Sequence, residues 1–331
     1  MLRFAVRRLG SLVLVLLCLS ILVFVLSRYG GGDPVRSYLG NNASASAVAA
    51  MREKLGLDDP MPVQFWDYVS RLLHGDLGMS LSTRRPVRAE LADRLPATLE
   101  LAIATLLFSV VIGVVLARVY ALPGCFGGIV RFTLLGAASA PAFLVATAGV
   151  LIFFVQLGWL PVSGRTSYGP SEGLSGIYVL DGLLTGNLAY SWDALQHLLL
   201  PAFAASLGPG VALARVLADG LSTSIGSAYA RTARSLGESE RSVLRRHGLR
   251  NAASPALSML GVQFGMMLSS LVVVEQIFSW NGLGQYLVMA IDRADTNAVA
   301  TISLLLGAFY VVINALVDIA LAAIDPRVRL S

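Results

Sequence analysis

The chain has one lysine in 331 residues, Lys54, set in Arg52-Glu53-Lys54-Leu55-Gly56. A phosphate-cradling loop of the Gly-x4-Gly-Lys type needs a lysine directly after its second glycine, so this chain carries no such nucleotide site, and ATP used in its service must be hydrolysed by another protein. Cysteine is nearly as scarce. Cys18 falls inside an apolar run and Cys125 in a short connection, which implies no disulfide framework and reads as two small space-filling residues. The three histidines, His74, His197 and His247, lie in three different segments, cannot form one metal cluster, and are expected at surfaces or interfaces. An intramembrane hydrolase also lacks support: His-Glu-x-x-His and paired aspartates on facing spans are absent, and no serine-nucleophile elbow is expected to operate.

Charge is the next shortage. Charged residues make up 14% and hydrophobic ones 56%, whereas a soluble domain carries about 25% charge; the apolar excess has to face lipid. Six runs, 9–27, 99–117, 132–155, 195–217, 254–275 and 298–320, are long enough to cross a hydrocarbon core of about 30 Å at about 1.5 Å per residue. The expected fold is an all-α polytopic membrane protein with six transmembrane helices. The first run exceeds the core of a cleaved signal, has no small-x-small site after it, and has the bulky Leu17 before Cys18, which argues against a lipoprotein.

Orientation follows from arginine. With the amino terminus inside, the inner segments hold fourteen arginines against four carboxylates, +10, and the outer segments come to −3. The positive-inside rule therefore puts both termini in the cytoplasm. The remaining −2 comes from Glu275 and Asp318, in or near spans, which completes the net +5. The sequence pI near 9.5 reflects this topology and attraction to anionic lipid, and gives no reason to invoke nucleic acid.

The expected organisation is a transmembrane helix over 1–28, an outer segment over 29–98 packed on the membrane domain, a five-helix core over 99–325, and a cytoplasmic tail over 326–331. Short helices are expected around 45–55 and 63–73, parted by the turn Asp59-Pro60-Met61-Pro62. The loop 156–193 is rich in Gly, Ser and Tyr, and Trp159 and Trp192 suit interfacial anchoring. Pro141 in the third span, and Pro201 and Pro209 in the fourth, remove backbone hydrogen bonds and favour kinks, which serve a gated path and static packing equally well.

The core is interrupted by a polar island, 222–251, with six arginines around Ala228-Tyr229-Ala230-Arg231-Thr232-Ala233-Arg234-Ser235-Leu236-Gly237. Two short helices are expected there, with a loose apolar stripe of Ile225, Tyr229 and Leu236 on the first and Gly237 at a left-handed cap. The second begins with Glu238 and Glu240 and ends with Arg245, Arg246 and Arg250, an order that suits a helix dipole. Ser254-Pro255 then resembles a cap and first-turn proline that begins or adjusts the fifth span. Composition alone admits either lipid contact or partner docking for this island.

The island resembles the EAA loop of ABC-importer permeases, a helix, glycine and second helix that sit in a groove of an ATP-binding subunit. Residues 228–251 are closer still to the version in the dipeptide/oligopeptide/nickel permease family, and the resemblance runs over nearly the whole chain. It takes in Gly32-Asp33-Pro34, Leu55-Gly56-Leu57-Asp58, Gly75-Asp76-Leu77-Gly78-Met79-Ser80, Arg94-Leu95-Pro96-Ala97-Thr98-Leu99-Glu100 and Gly158-Trp159-Leu160-Pro161. It continues through Val274-Glu275-Gln276-Ile277-Phe278-Ser279-Trp280, Gly282-Leu283-Gly284 and Asp325-Pro326-Arg327. The chain departs from the general EAA pattern at Arg231 and Arg250, as the peptide branch does, and has Asn281 where that branch often has proline.

The resemblance implies a type I ABC-importer permease working with a second related permease, two ATPase subunits that bind ATP and Mg, and an extracytoplasmic substrate-binding protein. It implies no cofactor or metal on this chain and no catalysis by it. Coupling would rest on Tyr229, Ala230, Arg231, Thr232, Ala233, Arg234, Gly237 and Arg245, with Tyr229 as a buried apolar anchor, Arg231 and Arg234 as charge-assisted donors and Gly237 as the bend. The substrates implied are di- or oligopeptides, with nickel, glutathione and haem carried by similar systems. The rival class is a proton-coupled carrier, for which Glu275 and Asp318 are the acids of interest; both are also placed to reach an interface. Glu275, Asp318, Pro141 and Pro209 are the candidates for gating or translocation.

Overall fold

The computed structural model describes residues 2–29, 35, 44–54, 56–120, 132, 136, 140–171 and 173–324. The expectations for Gly32-Asp33-Pro34, Cys125, most of 132–139 and the tail 326–331 lie outside the described residues. The described chain is all-helical, with one isolated bridge between Met79 and Pro86. Its helices are α1 (Leu2–Tyr29), α2 (Ala45–Lys54), α3 (Met61–Leu73), α4 (Val87–Tyr120), α5 (Ala142–Gly149, continued as a π turn Val150–Gln156) and α6 (Tyr178–Leu184). They continue as α7 (Leu188–Gly226), α8 (Ala228–Ser235), α9 (Glu240–Val243, continued as a π turn Leu244–Gly248), α10 (Leu249–Ile277), α11 (Leu283–Asp292) and α12 (Thr296–Ile324). Among the described residues four stretches are long and apolar enough to cross a membrane: Val87–Arg118, Leu188–Gly226, Glu240–Ile277 and Thr296–Leu321. They contain the second, fourth, fifth and sixth expected runs. Val13–Leu26 and Ala142–Gln156 are shorter apolar helices in the first and third.

The chain divides into two compact units. One comprises residues 2–96 and 282–311. Its core joins Val87 and Leu91 of α4 to Leu283, Tyr286 and Ala290 of α11 and to Ala298 and Ile302 of α12. Phe24 of α1 meets Phe65 of α3 edge-on at 5.4 Å between ring centroids. The Gly75–Ser80 motif is pinned by Asp295, fully buried between α11 and α12, which accepts from the Ser80 hydroxyl at 2.5 Å, the Ser82 amide at 3.0 Å and the Ala298 amide at 3.1 Å. Each bond satisfies a carboxylate that burial would otherwise leave costly.

The other unit holds residues 97–281 and 312–331 with Met1. Its most extensive helix pair is α7 against α10, and its main core gathers Leu101 of α4, Ala146 of α5, Leu198 and Leu200 of α7, and Met267 and Leu271 of α10. Small residues set the spacing. A Cβ on Gly210 would sit 2.7 Å from Ile112 Cγ2, and one on Gly113 2.6 Å from Leu213 Cδ2, so α4 and α7 touch where glycine removes the side chain. With 39 residues, α7 is about 58 Å long and carries both Pro201 and Pro209 without a break. Pro141 differs from expectation: it caps the start of α5 instead of kinking a span, because a proline lacks only a donor that a first turn leaves unpaired anyway. Pro255 lies inside α10, so of beginning or adjusting the fifth span only the second remains open to it.

Candidate functional site: the corner between α7 and α10

The polar island folds as a corner. α7 ends at Gly226, and Ser227 turns the chain, accepting from the Ala230 amide at 3.4 Å while its hydroxyl donates to the Ser224 carbonyl at 2.6 Å. α8 then presents its alanines inward: Ala230 and Ala233 are buried against Val243 of α9. Its end is a Schellman cap, with the Glu238 amide on the Ala233 carbonyl at 3.1 Å and the Gly237 amide on the Arg234 carbonyl at 3.0 Å. Gly237 takes φ +84°, the left-handed conformation this cap demands. Ser239 caps α9 by accepting from Ser242 at 3.4 Å.

Arg234 sits differently from expectation, and Tyr229 is left open to a partner. Arg234 turns back on its own loop, forking onto Glu240 at 2.7 and 3.2 Å and donating to the Ile225 carbonyl at 3.0 Å, so it braces α7, α8 and α9 together. These bonds to Glu240 hold its guanidinium above the usual arginine range. Tyr229 is not buried within the chain: it is half-exposed, its hydroxyl accepts from Asn251 Nδ2 at 2.8 Å, and its ring lies 5.9 Å from that of His247. The inward stripe is alanine because only a small side chain fits between α8 and α9 at this spacing, and Leu236 is left outside. The second helix is also longer than expected, since α9, its π turn and α10 form one continuous stretch from Glu240 to Ile277.

What the corner offers outward is Tyr229, Arg231, Leu236, Arg241, Arg245 and Arg246, while Thr232 returns its hydroxyl to the Ala228 carbonyl. Behind it α7 and α10 lie almost in backbone contact, a Cβ on Gly220 falling 3.0 Å from that of Ala252, over a core of Ala117, Leu213, Leu217, Ala252 and Ala256. Beside the corner opens a cleft of about 400 Å³ lined by Val216, Asp219, Thr223, Ser224, Asn251 and Pro255.

The remaining candidates lie elsewhere. Glu275 does not reach an interface: it is fully buried and accepts from the Thr98 hydroxyl at 2.7 Å. Next to it Trp280 Nε1 donates to the Ala97 carbonyl at 2.9 Å, so the Arg94–Glu100 and Val274–Trp280 motifs meet. Glu100 pairs with Arg165, whose guanidinium also donates to the Gly176 carbonyl at 2.7 Å and stacks 3.6 Å from the Tyr178 ring. Sequence reasoning missed this buried pair; its one signal was a lone arginine in a loop otherwise poor in charge. Asp318 lies one helical turn beyond Asn314, whose Oδ1 stands where a Gly261 Cβ would come within 3.0 Å. His197, expected at a surface or an interface, is buried with Nδ1 2.9 Å from the Asp193 carbonyl. Among the described residues no three His, Cys, Asp or Glu side chains converge as metal ligands. The letters Gly169-Pro170-Ser171-Glu172-Gly173 do fit Gly-x-Ser-x-Gly, a match that sequence reasoning passed over. Ser171 sits in a loop and donates to Asp181 at 2.8 Å, so the strand-turn-helix elbow that such a nucleophile needs is not built around it.

Residues 109–330 match the family described as binding-protein-dependent transport system inner membrane component, and residues 1–102 match its N-terminal companion. The chain belongs to this family and is a multi-pass inner-membrane protein. It is 35% identical to the dipeptide transport system permease protein DppB of Alkalihalophilus pseudofirmus, over 99% of this chain and 100% of that one. It is 36% identical to the glutathione transport system permease protein GsiC of Salmonella typhimurium, over 99% of each. It is also 36% identical to the probable D,D-dipeptide transport system permease protein DdpB of Escherichia coli, over 97% of this chain and 96% of that one.

Proposed function

We propose that this chain is one of two permease subunits of an ATP-driven importer of short peptides, with six spans and both termini in the cytoplasm. The corner 222–251 docks on the ATPase subunits that bind ATP and Mg, and a binding protein delivers substrate on the opposite face. ATP-driven closure of the ATPases moves the corner, and the α7–α10 pair carries that movement into the spans.

The observation that carries this reading is the corner's division of labour. Arg234, Ala230, Ala233 and Gly237 build it from within, while Tyr229, Arg231 and Arg245 remain exposed on a rigid base. The substrate class is supported by relatives named for a dipeptide, a D,D-dipeptide and glutathione, all peptide-like. A proton-coupled carrier is less well supported, because Glu275 is enclosed and hydrogen-bonded in the manner of a structural carboxylate.

The test is purification in mild detergent followed by an ATPase assay with binding protein and dipeptide. Co-purifying ATPase subunits, and stimulation lost in Gly237→Asp while the permease still enters the membrane, are expected. A Cβ at Gly237 has open space within the chain, so that variant probes the bend and the docking face without a clash. Uptake by the permease alone on a proton gradient would overturn the assignment.

A further inference from the structure

The loop expected over 156–193 reads from the sequence as an outer connection with Trp159 and Trp192 suited to interfacial anchoring; residues 157–192 are its part between the π turn after α5 and the first turns of α7. In the structure this segment is turned inside out. Its described charged side chains both point inward: Arg165 lies on Glu100 and Tyr178, and Asp181 accepts from the Ser171 and Ser175 hydroxyls at 2.8 and 2.6 Å and from the Ser175 and Gly176 amides at 3.1 and 2.9 Å. The hairpin's outward edge is rich in leucine, with Thr185, Gly186 and Asn187 exposed at the turn within it. Leu180, Leu183 and Leu184 of α6 are exposed, followed by Leu188 and Trp192 of α7; Leu184 is 73%, Leu188 68% and Trp192 60% accessible.

The hairpin holds this edge rigidly. A Cβ on Gly182 would fall 2.4 Å from Ser191 Oγ, and that hydroxyl donates to the Val179 carbonyl at 2.9 Å, so α6 lies tight against the start of α7. By contrast the surface of α2 and α3 keeps Arg52, Glu53, Asp67 and Arg71 exposed, as a wetted segment should.

We propose that the α6–α7 hairpin is sunk in the bilayer interface, with its edge of Leu180, Leu183, Leu184, Leu188 and Trp192 against lipid acyl chains. Across the short turn 185–187 the edge continues into α7, a membrane-spanning helix, so lipid in contact with that helix has only to extend about one turn further. Its composition, leucines with a terminal tryptophan, is that of the interfacial zone. A surface for a binding protein that comes and goes would keep a polar, charged rim; among the described residues this edge has no charged side chain, and its polar Thr185 and Asn187 are hydrogen-bonded to backbone groups of the hairpin itself. The hairpin thus anchors one side of the loop in the membrane while Arg165 and Asp181 hold it closed from within.

Nitroxide accessibility in the assembled transporter tests this. Leu184→Cys, in a Cys18→Ala, Cys125→Ala background and reconstituted in phosphatidylethanolamine/phosphatidylglycerol vesicles, would carry the label, with Asp67→Cys on α3 as the wetted reference. The label at 184 is expected to collide several-fold more with oxygen than with a water-soluble nickel chelate, and the label at 67 to show the reverse. Access of the nickel chelate to 184 would place the edge in water. Shielding from both reagents would mean that a protein covers it; either result overturns the proposal and leaves the transport assignment intact. Without any label, acyl-brominated lipid should quench the tryptophan fluorescence, and Trp192→Phe should remove part of that quenching. Unchanged quenching would count equally against it.

Discussion

Arg165 and Glu100 show how one pair of side chains governs a stretch of chain. Both are almost fully buried, and each has further partners, Arg165 at the Gly176 carbonyl and Tyr178 ring, Glu100 at the Val179 amide at 2.9 Å. A charge stranded by loss of its partner costs about 3–5 kcal/mol, while loss of both together costs less. Arg165→Met is therefore expected to lower the thermal midpoint of the detergent-purified protein by several degrees, and the Arg165→Met/Glu100→Leu double variant to recover part of it. Gly237 behaves differently. Its left-handed φ charges an alanine about 1 kcal/mol in backbone strain but meets no neighbour, so Gly237→Ala should fold normally and show itself in coupling assays only.

At the scale of elements, α7 is the axis that joins the hairpin to the corner, and its fit against α4 is set by glycine. Gly210→Leu would drive a side chain toward Ile112 and the Ser109 carbonyl, the latter 3.3 Å from the Cβ position and unable to rotate away. An overpacking cost of about 1–3 kcal/mol is expected, measurable as a lowered unfolding midpoint, with Gly210→Ala milder. The loop before α7 has its own pH dependence. Burial pushes the Asp181 carboxyl up, but the bonds from Ser175, Ser171 and the two amides outweigh it and hold the group below the ordinary carboxylate range. A carboxyl depressed in the folded state stabilises above its unfolded value of about 3.9 and loses that contribution as pH falls through the folded value. Protease cleavage within 163–177 in proteoliposomes should thus stay low near neutrality and rise below about pH 4, and Asp181→Asn should cleave readily at all pH values.

For the whole molecule, the exposed arginines of the corner are the test of coupling. A hydrogen bond to a charged group is worth about 1.5–3 kcal/mol, so Arg231→Glu with Arg245→Glu is expected to weaken ATPase-subunit recovery at least tenfold. Membrane insertion and the melting profile should be unchanged, since both side chains are exposed and neither holds the corner together. Retained recovery would move docking away from 222–251.

Hydropathy and residue order were enough to place the apolar runs that lie within the four long helices, the short pair over 45–73, the glycine bend at 237 and the family, because these depend on local spacing and on the cost of putting polar groups in lipid, but α6 and α11 went unread. They could not say which way a side chain turns. That Arg234 braces the corner while Arg231 faces outward, that Glu275 is sealed on Thr98, and that residues 157–192 bury Arg165 and Asp181 and expose their leucines is settled by which partners meet, Glu240 close to Arg234 in sequence but Thr98 and Glu100 far from Glu275 and Arg165. Burial and pairing are decided only when those partners meet, and an arginine reads the same in the sequence whether it ends on a carboxylate or in solvent.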